Sequence, residues 1–189
     1  MPFTTRLIRK LGRKERRKIC DHFLRLVPQD RRMRFFGAVG DDFVAAYAQR
    51  LCRHNNLVLG CFVGGELRAL GELHIDGQSA EAAITVEHDF QNTGIGTELL
   101  HRLLELARNR LIVNVHLTCL ADNTRVQQIT RKSGAVLSQT QGTVEANIAP
   151  PWPSLWSIFT EVLGDQQTML SRLLANDGGL PALRYTLAA

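Results

Sequence analysis

The spacing of apolar residues changes period several times along the chain, and each change marks an element. Ile19, Phe23, Leu24 and Leu26 follow a charged run at helical spacing, which predicts an amphipathic helix over residues 12–26. The stretch DDFVAAYAQRLCR, 41–53, reads as a second helix. NLVLGCFV and ELRALGELHI are apolar-rich and β-compatible, with Gly64-Gly65 between them. A two-glycine link suits a tight hairpin, because both positions tolerate positive φ. Asp76-Gly77 gives a second hairpin signal leading into SAEAAITVE, so three antiparallel strands in succession are expected.

Helical spacing returns at Leu99. Leu99, Leu103 and Leu106 share one face, with Leu100, Leu104 and Ala107 beside it. LIVNVHLTCLA then reads as a strand. NTRVQQITRKSG reads as a helix with Asn123 as its N-cap and Gly134 as its terminator. AVLSQTQ and TVEANIA read as two more strands. Pro150, Pro151 and Pro153 break the pattern, and SLWSIFTEVLG and QQTMLSRLL beyond them are helical and apolar. The chain thus divides into a domain over 1–149 and a C-terminal helical extension over 150–189. That extension either covers its own domain or forms a homodimer contact.

Composition narrows the setting. A chain of 189 residues fits one domain with an appendage, and 44% apolar residues suffice for a sizeable core. No apolar run approaches the ~18 residues of a membrane span, so no membrane partner is expected. The basic N-terminus lacks the apolar region of a signal peptide. Cys20, Cys52, Cys61 and Cys119 fit no zinc or redox spacing, so reduced thiols, a cytoplasmic location and no metal are expected. The net charge is +5, and eight basic residues against Glu15 lie between Arg6 and Lys18. They read as a solvated helix face; a polyanion partner is the alternative, though no aromatics interleave to stack on bases.

Chemistry enters where the apolar strand SAEAAITVE gives way to the leucine helix. Gly94 and Gly96 sit at that joint. With 15 glycines in the chain, one Gly-x-Gly is expected by chance about once, so the context carries the weight. A helix start offers unpaired N–H groups and a partial positive charge, which suit phosphate. No lysine follows Gly96, as a P-loop would need, and Leu99 stands where a dinucleotide fingerprint has its third glycine.

Gln91-Asn92-Thr93-Gly94-Ile95-Gly96 resembles the Q/R-x-x-G-x-G/A signature of the GNAT superfamily of acetyl-CoA-dependent acetyltransferases. Asn123 and Gly134 match that family's N…G helix downstream. RRMRFFGAV and AEAAITV look like bacterial members related to protein-lysine acetyltransferases. The resemblance covers roughly residues 55–148. It implies an α+β fold with a mixed, mostly antiparallel sheet of about six or seven strands and helices on both faces. It also implies that the strands around the signature helix splay apart. Acetyl-CoA would lie in the gap, its pantetheine on Ile84, Thr85 and Val86. Its diphosphate would sit on the N–H groups of Asn92, Thr93, Gly94, Ile95, Gly96 and Thr97, with Gln91 and Asn123 alongside.

The activity implied is direct N-acetyl transfer to an amine, on a small molecule or a protein lysine. Glu81, at the start of AEAAITV, is the candidate general base; Glu87, Glu72 and His74 are alternatives. Glu81 and Glu87 share a face if the strand is regular, as do Glu72 and His74. Many family members carry a tyrosine acid where this chain has Thr130, and its tyrosines are Tyr47 and Tyr185. Arg125, Arg131 and Lys132 are candidates for the 3′-phosphate, and Cys119 reads as a small core thiol. The missing tyrosine motivates a rival reading, a catalytically weak acyl-CoA-binding or sensing module. The basic N-terminal run motivates another, nucleic-acid binding.

Overall fold

A computed structural model of the chain describes residues 6–51, 56–150 and Glu161. Seven strands form one sheet in the order β1-β2-β3-β4-β5-β7-β6. They are β1 (Arg6–Lys10), β2 (Asn56–Val63), β3 (Glu66–Asp76), β4 (Ser79–Val86), β5 (Asn114–Leu120), β6 (Val136–Thr140) and β7 (Thr143–Ile148). Every neighbouring pair is antiparallel except β4 with β5. The helices are α1 (Arg16–Arg25), α2 (Pro28–Phe35), α3 (Asp41–Leu51), α4 (Ile95–Arg108) and α5 (Thr124–Lys132). Both predicted hairpins are present, and Gly64 and Gly65 take positive φ at 61° and 84°.

Two apolar layers sandwich the sheet. On one side Leu99, Leu100, Leu103 and Leu106 of α4 pack on Leu59, Ala69, Leu73, Ala80, Ala82, Val115 and Leu117. On the other, Ile19 and Phe23 of α1 and Val44, Ala48 and Leu51 of α3 pack on Val58, Phe62, Leu67 and Leu70. Alternation along β2 and β3 supplies both layers, because successive side chains point to opposite faces.

Two elements differ from the sequence reading. The first half of the basic run is not a helix face but the edge strand β1. Arg6, Arg9 and Lys10 lie on it, and charged side chains on an edge oppose pairing with another chain. Several of these charges are satisfied internally: Arg6 donates to the Thr93 carbonyl, Arg9 pairs with Glu15, and Lys10 with Glu161. The second is α2, which the apolar spacing gave no reason to expect. It starts with Pro28 at its first turn, ends with Phe36 in the left-handed region, and buries none of its residues.

The predicted C-terminal helices, and with them the homodimer contact, lie outside the described residues, as do Cys52 and Tyr185. Glu161, which is described, docks on its own domain. It accepts from Lys10 (2.7 Å), Asn109 (2.7 Å) and Arg110 (2.9 Å). No helix among the described residues is long and apolar enough to cross a membrane.

Candidate functional site

β4 and β5 pair over three positions only, from Ser79 opposite Asn114 to Glu81 opposite His116. β4 stays paired with β3 as far as Val86, with no shift of register. Its other edge, beyond Glu81, therefore has no strand neighbour among the described residues. A cavity of about 540 Å³ fills the wedge. Residues 81–86 of β4 and Leu117, Thr118 and Cys119 of β5 form its sides. The loop into α4, the start of α5 and one side of α2 complete it.

The two glycines at the joint have different reasons. Gly94 caps α4 at φ 86°, ψ −8°, a left-handed conformation that glycine adopts without a Cβ penalty, and a Cβ there would meet open space. Gly96 is helical and buried. A Cβ on it would come within 3.0 Å of Ile129, so its bare backbone lets α5 close on α4. Asn92 is also left-handed (φ 59°) while Thr93 between them is not. Such alternation curls successive N–H groups toward a common point, a geometry that receives anions.

The signature side chains are mostly engaged within the protein. Gln91 donates to the Val86 carbonyl (3.0 Å) and to Asp30 of α2 (2.8 Å). It thereby pins the loop to the end of β4, and its buried Oε1 has no partner among the described residues. Thr93 donates to the Phe90 carbonyl. Asn123 accepts from the Val126 N–H (3.3 Å), the N-cap role expected of it. Gln91, Asn92, Gly94, Gly96, Thr97, Asn123, Ile84, Thr85 and Val86 all border the cavity, as do Arg125 and Lys132; Arg131 does not.

The four candidate bases separate cleanly. Glu72 is fully buried, held by Nε (3.2 Å) and Nη2 (2.6 Å) of Arg34, by the Tyr47 hydroxyl and, at 3.4 Å, by His74. Burial alone would raise its pKa, but the Arg34 charge and these donors outweigh it and hold the carboxyl at about 2. Glu87 is likewise buried. His22, Arg25 and Arg68 donate to it, and against the cost of burial they too hold it at about 2. Such carboxylates are poor proton acceptors at neutral pH. Neither they nor His74 border the cavity; Glu81 does, and it is exposed.

Under the end of β4 lies a buried relay. His22 gives its Nδ1 proton to Glu87 (3.1 Å) and its Nε2 accepts from the Thr85 hydroxyl (2.9 Å). Burial lowers the pKa of His22 although Glu87 pulls the other way, and the neutral ring satisfies both bonds. Arg25 ties the same corner to the Leu67 carbonyl (2.6 Å).

Thr130 is buried, with its hydroxyl turned back to the Val126 and Gln127 carbonyls (3.0 Å each), and it does not border the cavity. Tyr47 is spent on Glu72; burial and that neighbouring charge raise its pKa. Cys119 borders the cavity, but burial pushes its thiol up, with the charge of Asp122 adding, which disfavours a thiolate. The wall that sequence reasoning missed is α2. Leu26, Gln29, Asp30, Met33, Arg34 and Phe36 border the cavity from it. Met33, Phe35 and Phe36 among charged residues were the available signal.

Sheet, splay and helix-capping loop together define an acyltransferase of the GNAT type. The chain belongs to the acetyltransferase (GNAT) family, whose model matches residues 24–135. A comparison with curated proteins finds no match. Among solved structures, the GNAT domain of the S. lividans protein PAT superposes with a TM-score of 0.66 at 19% identity, over 75% of this chain and 89% of that one. The PaiA N-acetyltransferase of Thermoplasma acidophilum, in complex with coenzyme A, superposes at 0.60 with 15% identity, over 77% and 99%. YncA of Salmonella typhimurium, a putative acetyltransferase with acetyl-CoA, superposes at 0.61 with 14% identity, over 80% and 97%.

Proposed function

We propose that the protein moves an acetyl group from acetyl-CoA to an amine by direct attack, with Glu81 as general base. The observation that carries this reading is the segregation of charge along one cleft. At one end lie the starts of α4 and α5, with Arg125 and Lys132. At the other, where β4 and β5 still pair, lies Glu81, while Arg34 is neutralised by Glu72, Asp30 accepts from Gln91 and Asp122 pairs with Arg32. One end suits a diphosphate and the other a cationic acceptor.

In this reading the diphosphate rests on the N–H groups of Asn92 to Thr97. Pantetheine runs along the free edge of β4 at Ile84 to Val86 in place of a strand. An N–H of that edge, near Val86, faces the thioester oxygen as it gains charge. An alkylamine with pKa near ~10.4 is mostly protonated at neutral pH, so Glu81 takes the proton as nitrogen attacks. The C–S bond then breaks and the thiolate departs. Its free pKa near ~8.5 makes that tolerable without an acid, which fits Thr130 being turned away.

Thiol release from acetyl-CoA, measured across a panel of amines, tests the activity. Glu81→Gln is expected to lower kcat about 10²–10⁴-fold while CoA affinity holds. An unchanged kcat refutes the role of Glu81. The absence of an acid at Thr130 favours one second reading, a CoA-binding module with little turnover. Calorimetric CoA binding without thiol release on any amine selects that reading.

A further inference from the structure

We infer that the acceptor is a small primary amine carried on an apolar body, selected by Phe36 and Met33 of the α2 wall. The inference rests on the transfer reading and names the substrate class of the same cleft.

The wall's composition points there. Leu26, Gln29, Asp30, Met33 and Phe36 recur three or four positions apart and all border the cavity, so one stripe of α2 and its flanks faces inward. α2 packs on the core through Phe35, while the apolar side chains of Met33 and Phe36 on that stripe belong to neither packing layer. The neighbouring aromatic shows the contrast. Phe35 turns into the domain and meets Phe23, Phe43 and Tyr47 edge-on at 5.3–5.5 Å between ring centres. Phe36 turns the other way, is 44% exposed, and sits at φ 61°. A bulky residue rarely takes that conformation, and Gly37 next to it would take it freely. The chain thus holds an aromatic ring at the cavity in a strained backbone, a pattern that clusters at ligand sites.

Charge and size complete the argument. With Arg34 neutralised by Glu72, Asp30 accepting from Gln91 and Asp122 paired with Arg32, Glu81 is the exposed carboxylate left bordering the cavity. One free carboxylate suits one ammonium group; a polyamine would leave its further charges against Met33 and Phe36. α2 is also strapped across the cleft, by Asp30 to Gln91 on one rim and by Arg32 to Asp122 (3.0 Å) on the other. A roof tied on both sides favours a small molecule over a folded protein's lysine.

The test compares 2-phenylethylamine and hexylamine with ethanolamine, spermidine and a lysine peptide, by thiol release at saturating acetyl-CoA. The apolar amines are expected to show kcat/KM at least tenfold higher. Phe36→Ala should raise KM for 2-phenylethylamine about tenfold or more, the scale of lost apolar pocket contacts. Phe36→Leu should recover part of the loss, and CoA affinity serves as the check that each variant is folded. Equal or better turnover of ethanolamine, spermidine or the peptide overturns the inference, as does an unchanged KM in Phe36→Ala. Should no amine turn over, the transfer reading falls by itself. Calorimetric titration of 2-phenylethylamine into CoA-loaded protein then decides: binding that weakens in Phe36→Ala upholds the inference, and no binding overturns it.

Discussion

The two walls of the cleft are held by opposite means. The α4 wall rests on a continuous apolar layer in which four leucines are buried against the sheet. The α2 wall sends only Phe35 against the core and is otherwise held by polar links: Arg34 to Glu72, Asp30 to Gln91, Arg32 to Asp122 and Arg31 to Asp41. An apolar layer is non-directional and fixes a helix as a body. Ion pairs fix it at points whose strength depends on burial and on the medium. The wall assigned to the donor is therefore rigid. The wall assigned to the acceptor is set by a few replaceable side chains, which is where a family with one donor can vary its acceptors.

The sharpest way to break this contrast is to remove the one buried link. Glu72→Gln leaves the largely buried Arg34 guanidinium uncompensated, and losing one partner of such a pair costs up to about 3–5 kcal/mol. Truncating Leu103 to Ala in the opposite layer costs a similar ~2–5 kcal/mol. Urea unfolding measures both. A loss below about 1 kcal/mol for Glu72→Gln would show that α2 is held by something other than this pair.

Acid probes the same contrast without mutation. Glu72, Glu87 and His22 all lie on the α1–α3 side of the sheet. The folded pKa of His22 is lowered, so the unfolded chain takes up a proton first as pH falls below about 6.5. Stability present above that pH is lost as pH falls toward the folded value. Glu72 and Glu87, held at about 2, add a second loss as pH falls from the unfolded carboxylate range toward about 2. Thermal melts from pH 7.5 to 3 should show both steps, with the upper one absent in His22→Gln. A flat profile between pH 7 and 5 would contradict a buried neutral His22.

The donor wall can be strained at one residue. Gly94→Val places a β-branched side chain at φ 86°, at a cost of about 1–2 kcal/mol, and projects its Cβ into the open space at the helix cap. CoA affinity is expected to fall more than tenfold, and Gly94→Asn less, since asparagine visits the left-handed region. Equal affinity for all three proteins would separate that corner from the diphosphate.

The same division decides what the sequence made legible. β2, β3, β4 and α4 announce themselves because burial imposes a period, and Gly64-Gly65 and Gly94 because the backbone there needs positive φ. The splay after Glu81 followed from family resemblance alone, since no residue pattern records the absence of a strand neighbour. α2 was hard to see for the reason that makes it interesting: Phe35 alone packs on the core, so no apolar period is written. The basic run misled because an edge strand and a solvated helix both favour lysine and arginine. The choice among the four candidate bases was also out of reach, because Glu72 and Glu87 are taken out of play by Arg34, Arg25 and Arg68, which the sequence does not show beside them.

The smallest expected effect is the most telling about the roof. Arg32 and Asp122 are each about half exposed, and such pairs add no more than about 1 kcal/mol to stability. Arg32→Ala should therefore unfold within that margin of the parent. Yet the pair ties α2 to the loop before α5, and loosening it should raise the acceptor KM a few-fold with CoA affinity unmoved. Salt distinguishes tethering from simple contact. Exposed pairs are screened as the Debye length shrinks from about 10 Å at 0.1 M to about 3 Å at 1 M. The parent's acceptor KM should climb with salt toward that of Arg32→Ala, while the variant's stays flat. Parallel salt responses in both would mean that the roof is held without this strap, by the remaining links of Asp30, Arg31 and Arg34 and the packing of Phe35.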